Sequence, residues 1–238
     1  MTAGSFQILP YFSGFQDQNL NFTVTQPETC STPNGLPFSC TGGGTIEATG
    51  SGQAAMIKLV AQPWEGFQYY LSAGAGSFSV DIPSVTVTNT LSGDNPGVVL
   101  NGGVRAVVVP DTIVSPAVAV DAGFSGAWYP LDQISGASTG GIDDRLTILN
   151  EQAAVETSHL FRPAGVGGWG FDPYGGVEWV RYQTDLKDLS DGSHAGGLTD
   201  VVTPFAGVRI GPYPHEGFFG EASFVDGYHY AGGLYIQF

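Results

Sequence analysis

The stretch that decides the fold is Tyr228-His-Tyr-Ala-Gly-Gly-Leu-Tyr-Ile-Gln-Phe238, which ends the 238-residue sequence. Successive side chains of a strand point to opposite faces, so one face of this stretch carries Tyr228, Tyr230, Gly232, Leu234, Ile236 and Phe238. An apolar strand that stops on an aromatic residue would be a liability at a sheet edge in water. In lipid the same strand can close a barrel, because closure leaves no edge and aromatic rings favour the membrane interface.

A second stretch with the same alternation runs from Val118 to Trp128. Its even-numbered positions hold valine, alanine, phenylalanine, glycine and tryptophan, whereas its odd-numbered positions are small or polar. The segments 97–109 and 168–183 alternate in the same way. Because the strands of a transmembrane barrel alternate between lipid and lumen, we assign the apolar faces to lipid.

Turn residues divide the chain into ten predicted strands, with Asp226-Gly227 as the clearest hairpin signal. The strands are 45–61, 66–80, 84–91, 97–109, 116–129, 145–161, 168–183, 199–211, 217–225 and 228–238. We therefore predict an all-β, antiparallel transmembrane β-barrel of ten strands, within a range of eight to twelve. Merging 84–91 with its neighbour and extending the other strands gives eight, and an additional hairpin from 5–15 and 19–25 gives twelve.

The C-terminal stretch resembles the assembly signal that ends Gram-negative outer-membrane β-barrels. Gly233, Ile236 and Phe238 fit its spacing, whereas Ala231 stands where the signal has a polar residue. The resemblance is to small barrels of the OmpA-like kind. It implies a location in the cell outer membrane, contact with outer-membrane lipid, recognition by the barrel-assembly machinery and room for an envelope protein as partner. No catalytic motif comes with it.

The composition excludes several classes of protein. Charged residues make up only 12% of the chain, about half the usual share, and glycine is abundant at 36 residues. A net charge of −15 with seven basic residues argues against nucleic-acid binding and against a polybasic membrane anchor. The sequence contains no run of 18 apolar residues, so no transmembrane helix is predicted. The alternative fold for this composition is a glycine-rich secreted β-sandwich.

The first 44 residues lack a sustained pattern, so we divide the chain into an N-terminal part, 1–44, and a barrel, 45–238. The N-terminal part is expected to be an extension, a plug or an extra hairpin. Its start has no signal-peptide pattern, so we expect a mature chain behind an added Met1. Cys30 and Cys40 are separated by a turn-forming spacer and predict a disulfide in an oxidising compartment, worth about 2–3 kcal/mol. A metal site is the weaker interpretation, because no second ligand pair is nearby.

Several charged residues fall on the faces that we assign to the lumen: Arg105, Asp121, Asp172, Glu178, Arg209 and Glu221. A narrow barrel cannot leave charges unpaired inside it, so we expect these residues to form a lumen network of ion pairs and hydrogen bonds. Such a network would fill the lumen. A wider barrel would instead display the same residues along a water channel that favours cations.

Candidate catalytic residues are few. Asp143 and Asp144 are adjacent in a long loop, and His194 lies in another. These three could meet at the outer rim, where ten-stranded outer-membrane proteases place their Asp and His pairs. The other histidines show no metal-binding spacing, and no glycine-rich stretch has the context of a phosphate loop, so no metal and no cofactor is predicted.

The sequence therefore favours an integral outer-membrane barrel with a structural, adhesive or envelope-assembly role and without enzymatic activity. The first alternative is a porin-like, narrow channel for small solutes. The second is a hydrolase at the outer rim. An open lumen and a plugged lumen both fit the pattern of residues.

Overall fold

The computed structural model describes residues 4–24, 45–83, 88–135, 143–163, 168–189, 194–212 and 215–238. Within these ranges the chain is all-β, and no helix there is long and apolar enough to cross a membrane. The strands are β1 (Ser5–Val24), β2 (Thr45–Trp64), β3 (Phe67–Pro83), β4 (Thr88–Ser92), β5 (Gly97–Val109), β6 (Ala117–Leu131), β7 (Gln133–Ser135), β8 (Asp144–Ser158), β9 (Trp169–Asp188), β10 (His194–Pro212), β11 (Glu216–Ser223) and β12 (Tyr228–Gln237).

Ten of these strands close into an antiparallel ring. β1 pairs with both β2 and β12, and the ring continues from β2 through β3, β5, β6, β8, β9, β10 and β11 back to β12. The short strands β4 and β7 are not members of the ring. β4 pairs with the end of β3, and β7 pairs with β4, so they continue the wall beyond Gly97, where β5 begins. The predicted antiparallel barrel of ten strands is confirmed.

The membership of the ring differs from the predicted strands at two places. The predicted strand 84–91 corresponds to β4, which lies outside the ring, and the tenth member is instead β1, from Ser5 to Val24. A bulge hides β1 in the sequence: the pairing with β2 shifts between Phe15 and Gln18, and Asp17 has a φ of 56°. The extra residue reverses the alternation, so the two halves of one strand do not share a pattern.

The ring thus includes residues that precede the domain boundary drawn at 44. Residues 1–3 and 25–44 of that N-terminal part lie outside the described part of the chain. Cys30 and Cys40 are among them, so the disulfide stays a prediction.

We call the end of the barrel that holds Phe238 the lower end, and the opposite end the upper end. Over the lower part of the ring, the outward side chains are apolar and exposed. They include Phe12, Ile57, Leu59, Tyr69, Leu71, Val98, Leu100, Val104, Val120, Phe124, Val155, Val177, Val202, Phe218, Leu234 and Ile236. An apolar outer band on a closed barrel is the surface that a membrane-spanning barrel presents to lipid.

The polarity of the two faces inverts along single strands. In the lower half of β3, Leu71 is exposed on the outside while Ser72 is buried on the inside. In its upper half, Val80 and Ile82 are buried on the inside, and Ser79 faces outward. No bulge is needed for this change, because the same alternation holds from end to end while the apolar residues move from one face to the other.

Inward apolar side chains of the upper part form a single cluster, which we call the upper core. Its members come from seven strands and are Leu20, Phe22, Ala48, Phe78, Val80, Ile82, Leu91, Tyr129, Leu131, Leu146, Ile148, Val180, Tyr182 and Leu186. The upper part is therefore built like a water-soluble barrel, with a polar outside and an apolar inside. The lower part has the opposite arrangement.

Candidate functional site

The lower interior holds an ion-pair cluster, Arg105, Glu156, Asp172 and Arg209, which we call the charged network. Arg105 reaches from β5 to β8 and donates through both of its terminal nitrogens to Glu156, with both N–O distances at 2.7 Å. Arg209 of β10 donates to Glu156 at 3.1 Å and to Asp172 of β9, also at 3.1 Å. Bidentate pairing, as between Arg105 and Glu156, fixes the geometry of both partners. One buried carboxylate, Glu156, thus joins two opposed arginines.

A second set of contacts surrounds two tyrosines of the lower interior. The Tyr70 hydroxyl donates to Asp121 at 2.8 Å, and the Lys58 ammonium lies 3.9 Å from the centroid of the Tyr70 ring. The guanidinium of Arg209 lies 3.9 Å from the centroid of the Tyr174 ring, and Tyr174 hydrogen-bonds to Glu221. Cations stacked on aromatic faces gain an electrostatic attraction. The tyrosines therefore extend the charged network toward the other side of the lumen.

Glycines opposite Tyr70 make the space for its ring. A Cβ atom at Gly103 would lie 2.3 Å from the Tyr70 hydroxyl oxygen, and one at Gly123 would lie 2.5 Å from it. No side chain fits at these distances, so glycine is required on the two facing strands. Part of the high glycine content of the chain is thus explained by the large side chains that fill the lumen.

The interior carries more acid than base. The basic side chains Lys58, Arg105 and Arg209 interact with Asp121, Glu156, Asp172 and Glu221, and Glu178 lies within the field of Asp121 and Glu221. Three basic groups therefore face five acidic groups in a lumen that is closed by protein walls. Within the described residues, Glu178 makes no hydrogen bond and no ion pair.

The upper core lies above the charged network and crosses the interior. The rings of Phe78 from β3 and Tyr129 from β6 have centroids 4.9 Å apart, and Phe15 from β1 adds a ring at 5.2 Å from Phe78. Leu131 and Leu146 have no exposed surface. Polar contacts thus cross the lower interior, and apolar packing crosses the upper interior.

The structure places the six lumen residues named from the sequence as follows. Arg105, Asp172 and Arg209 meet in the charged network, Asp121 binds Tyr70, and Glu221 binds Tyr174, whereas Glu178 stands apart from these contacts. Glu156 and Lys58 also lie in the lower interior, although they are not among the six predicted residues. Glu156 shares the inward alternation of Gln152 and Asn150 on β8, which is the signal that could have found it.

The C-terminal residues lie at the lower end of the closing strand. The backbone N–H of Phe238 donates to the carbonyl of Phe6 at 2.8 Å, and its ring is 72% exposed. Ile236 faces outward and is also exposed. A Cβ atom at Gly233 would lie 2.3 Å from the carbonyl oxygen of Pro10, so only glycine fits between β12 and β1. Gly233 thus has a packing role as well as its place in the family signal.

The rim residues do not form an acid–histidine constellation in the described part of the chain. Asp143 is exposed while Asp144 is 5% exposed and faces inward, opposite Asp188. Of His194, only the backbone at the start of β10 is described. His159 pairs with Asp111 at 2.8 Å, at the lower end of the barrel. The described residues contain no group of three metal-binding side chains.

Comparison with known proteins gives matches by structure alone. No protein-family model and no curated protein matches the sequence. The translocator domain of the autotransporter NalP from Neisseria meningitidis is similar at a TM-score of 0.50 and 10% identity, over 100% of this chain and 89% of that domain. The outer membrane protein OprG from Pseudomonas aeruginosa is similar at the same score and identity, over 100% of this chain and 97% of that protein. This chain has the fold of an outer-membrane β-barrel.

The outer-membrane location follows from the fold together with the apolar band around the lower part of the ring. Exposed aromatic residues, Trp64 at the lower end and Tyr228 near the upper edge of the band, mark its two borders. The barrel therefore meets membrane lipid along its lower part. At 10% identity, these neighbours describe the fold and not the activity of this chain.

Proposed function

We propose that this outer-membrane barrel is a closed, non-conducting anchor that holds its upper end as a structural or adhesive surface of the cell envelope. The observation that supports the proposal is the double filling of the lumen. Glu156 binds arginines from two strands in the lower part, and the upper core packs side chains of seven strands above them. A barrel with such an interior can anchor its upper end rigidly in the membrane, but it does not conduct solute.

The proposal is tested by conductance. The purified full chain is refolded in detergent, checked for a heat-dependent shift in electrophoretic mobility, and added to a planar bilayer. We expect no channels above background. Folded protein that produces regular single-channel steps would overturn the proposal.

A narrow channel is the second candidate, and the acidic excess of the lower interior favours it. If the upper core opened, five acidic groups would face three basic groups along the path, and cations would be preferred. Reversal potentials in a salt gradient measure this directly. A cation-selective step current that is abolished by Glu178→Gln would establish the channel.

Two partners belong to the proposal. The assembly machinery is expected to act on the last strand, with Gly233, Ile236 and Phe238 as the recognised residues. An envelope protein is expected to bind the upper end, where the outward side chains of the strands are polar, as Ser79 and Asp185 are.

A further inference from the structure

The turn between β5 and β6 presents two apolar side chains at the lower end of the barrel. It comprises residues 110–116, Pro-Asp-Thr-Ile-Val-Ser-Pro, and we call it the lower turn. Ile113 is 96% exposed and Val114 is 92% exposed, the highest values among the large apolar side chains in the described part of the chain. Two adjacent aliphatic side chains that no other residue covers are unfavourable in water. The surroundings of the turn indicate what covers them.

The backbone of the lower turn is hydrogen-bonded largely from within. The Thr112 N–H donates to the Ser115 carbonyl at 2.9 Å, and the Thr112 hydroxyl accepts from the N–H groups of Ser115 at 3.0 Å and of Val114 at 3.4 Å. Pro110 and Pro116 have no N–H group to satisfy. Polar backbone groups enter an apolar medium only when they are hydrogen-bonded by the protein itself. The tip of the turn is therefore suited to a medium that contains little water.

Asp111, the only charged residue of the lower turn, is held away from its tip. Its carboxylate accepts from the backbone N–H of Leu160 at 3.1 Å and lies 2.8 Å from the Nδ1 atom of His159. Both partners belong to the segment that follows β8. The carboxylate is thus fixed against the neighbouring hairpin, and the residues next to Ile113 and Val114 in the turn are uncharged.

The neighbouring hairpin carries exposed aromatic rings beside the lower turn. The ring centroid of Phe161 lies 4.7 Å from that of His159 and 6.4 Å from that of Phe171. Phe161 is 50% exposed, and Trp169 and Phe171 are each 44% exposed. Aromatic rings of transmembrane barrels collect where the wall crosses the interface between membrane and water. Because Asp111 binds His159 directly, the lower turn lies at the same level as these rings.

The lower turn also continues the apolar band. The outward side chains of β6 from Val118 to Trp128 span about 25 Å along the axis, at about 2.5 Å per residue, which is the usual height of such a band. The turn lies directly below this span. On the β5 side, the pairing shifts between Val107 and Val109, and both Val108 and Val109 are exposed. Apolar surface therefore runs without a break from the band to the turn.

We propose that the lower turn inserts Ile113 and Val114 into the membrane leaflet at the lower end, where they anchor the barrel to lipid. Continuity with the apolar band and with the aromatic rings identifies lipid as the occupant. Two side chains are far less than the surface that a stable protein partner needs, whereas lipid requires no matching shape. This contact is separate from the closed lumen of the proposed function, and a conducting barrel would keep it.

The test measures the depth of a spin label in the full chain, refolded in vesicles of dioleoylphosphatidylcholine and checked for a heat-dependent shift in mobility. Cys30 and Cys40 are replaced with serine in every variant, so that one introduced cysteine carries the label. Ile113→Cys is compared with Leu71→Cys, on the lipid side of β3, and with Asn95→Cys, in the exposed turn between β4 and β5 at the upper end.

Oxygen concentrates in lipid, and nickel ethylenediaminediacetate stays in water. We expect the ratio of oxygen to nickel accessibility at position 113 to be several-fold higher than at position 95 and nearer to that at position 71. Val114→Cys should give the same result as Ile113→Cys. A ratio at 113 equal to that at 95 would overturn the proposal and leave the turn as a surface for a protein partner.

Two variants test the internal hydrogen bonds. Thr112→Val removes the hydroxyl that accepts from Val114 and Ser115, whereas Thr112→Ser keeps it. With the label at position 113, Thr112→Val should lower the accessibility ratio toward that at position 95, and Thr112→Ser should leave it unchanged. Equal ratios in these two variants would overturn the assigned role of the Thr112 hydroxyl in insertion.

Discussion

Replacing Glu156 with glutamine removes one charge from the centre of the charged network and keeps the shape of the side chain. The outer surface offers a control with nearly the same pairing. Arg181 donates to Asp200 through two nitrogens, at 2.9 and 3.2 Å, and Asp200→Asn removes the corresponding charge there. The two pairs differ in burial: the Glu156 side chain is 7% exposed, and that of Asp200 is 47% exposed.

The expected loss of stability in Glu156→Gln depends on which partners Arg105 and Arg209 keep. Arg209 keeps Asp172 as a partner, whereas Arg105 has no other ion pair in the described part of the chain. Breaking one partner out of a buried pair leaves an uncompensated charge, which costs about 3–5 kcal/mol. We therefore expect Glu156→Gln to lower the free energy of unfolding by about that amount. Asp200→Asn should leave the unfolding midpoint close to that of the unchanged protein, because water screens the exposed pair.

The assay is urea unfolding in phospholipid vesicles, followed by tryptophan fluorescence and by the fraction with folded electrophoretic mobility. Because the two pairs differ mainly in burial, the two variants are compared directly. Equal shifts of the midpoint for Glu156→Gln and Asp200→Asn would refute the predicted effect of burial, as would a loss below about 1 kcal/mol for Glu156→Gln.

Further predictions use matched positions on single strands. Leu71→Arg, on the lipid side of β3, should cost about 2–4 kcal/mol, while Ser79→Arg on the same face but above the inversion should be tolerated; urea unfolding in vesicles measures both, and equal costs would contradict the inversion. Gly233→Ala should destabilise the barrel by about 1–3 kcal/mol through overpacking, whereas Gly232→Ala, whose Cβ meets only a carbonyl oxygen at 3.4 Å, should be nearly neutral in the same assay. Deleting Phe238 should lower the yield in the outer membrane of cells but not the refolding yield in detergent, and equal yields in cells would show that the terminal ring is not recognised.

Alternation alone was enough to predict the barrel, because the clearest strands keep one polarity over most of their length. In β6, Val120 and Phe124 are exposed while Asp121 lies inside, as the pattern indicates. The pattern fails where polarity inverts. Along β8, Val155 is exposed in the lower part, but Leu146 is buried inside in the upper part, so a single alternation cannot describe the strand.

The interior was harder to read than the fold. Alternation can put Arg105 and Asp172 on an inward face, but pairing depends on strand order, stagger and side-chain reach, none of which a local pattern contains. Glu156 was missed because Glu151, on the opposite face of the same strand, obscures which acid points inward. The direct pairing of β1 with β10 above the last hairpin has no local pattern at all, since it arises from the unequal lengths of β1, β10 and the hairpin between them.

The inversion of polarity also determines how far the upper end stands above the border of the apolar band. Strands rise about 3.3 Å per residue and tilt by about 40° in barrels of this kind, so each residue gains about 2.5 Å along the axis. The polar-faced part of β3, from Ser77 to Pro83, thus lifts the upper end about 15 Å above the border of the apolar band. Because the upper core fills it, this section of the barrel is a rigid support for the upper end. It carries whatever binds there clear of the lipid head groups, at a distance that the chain itself fixes.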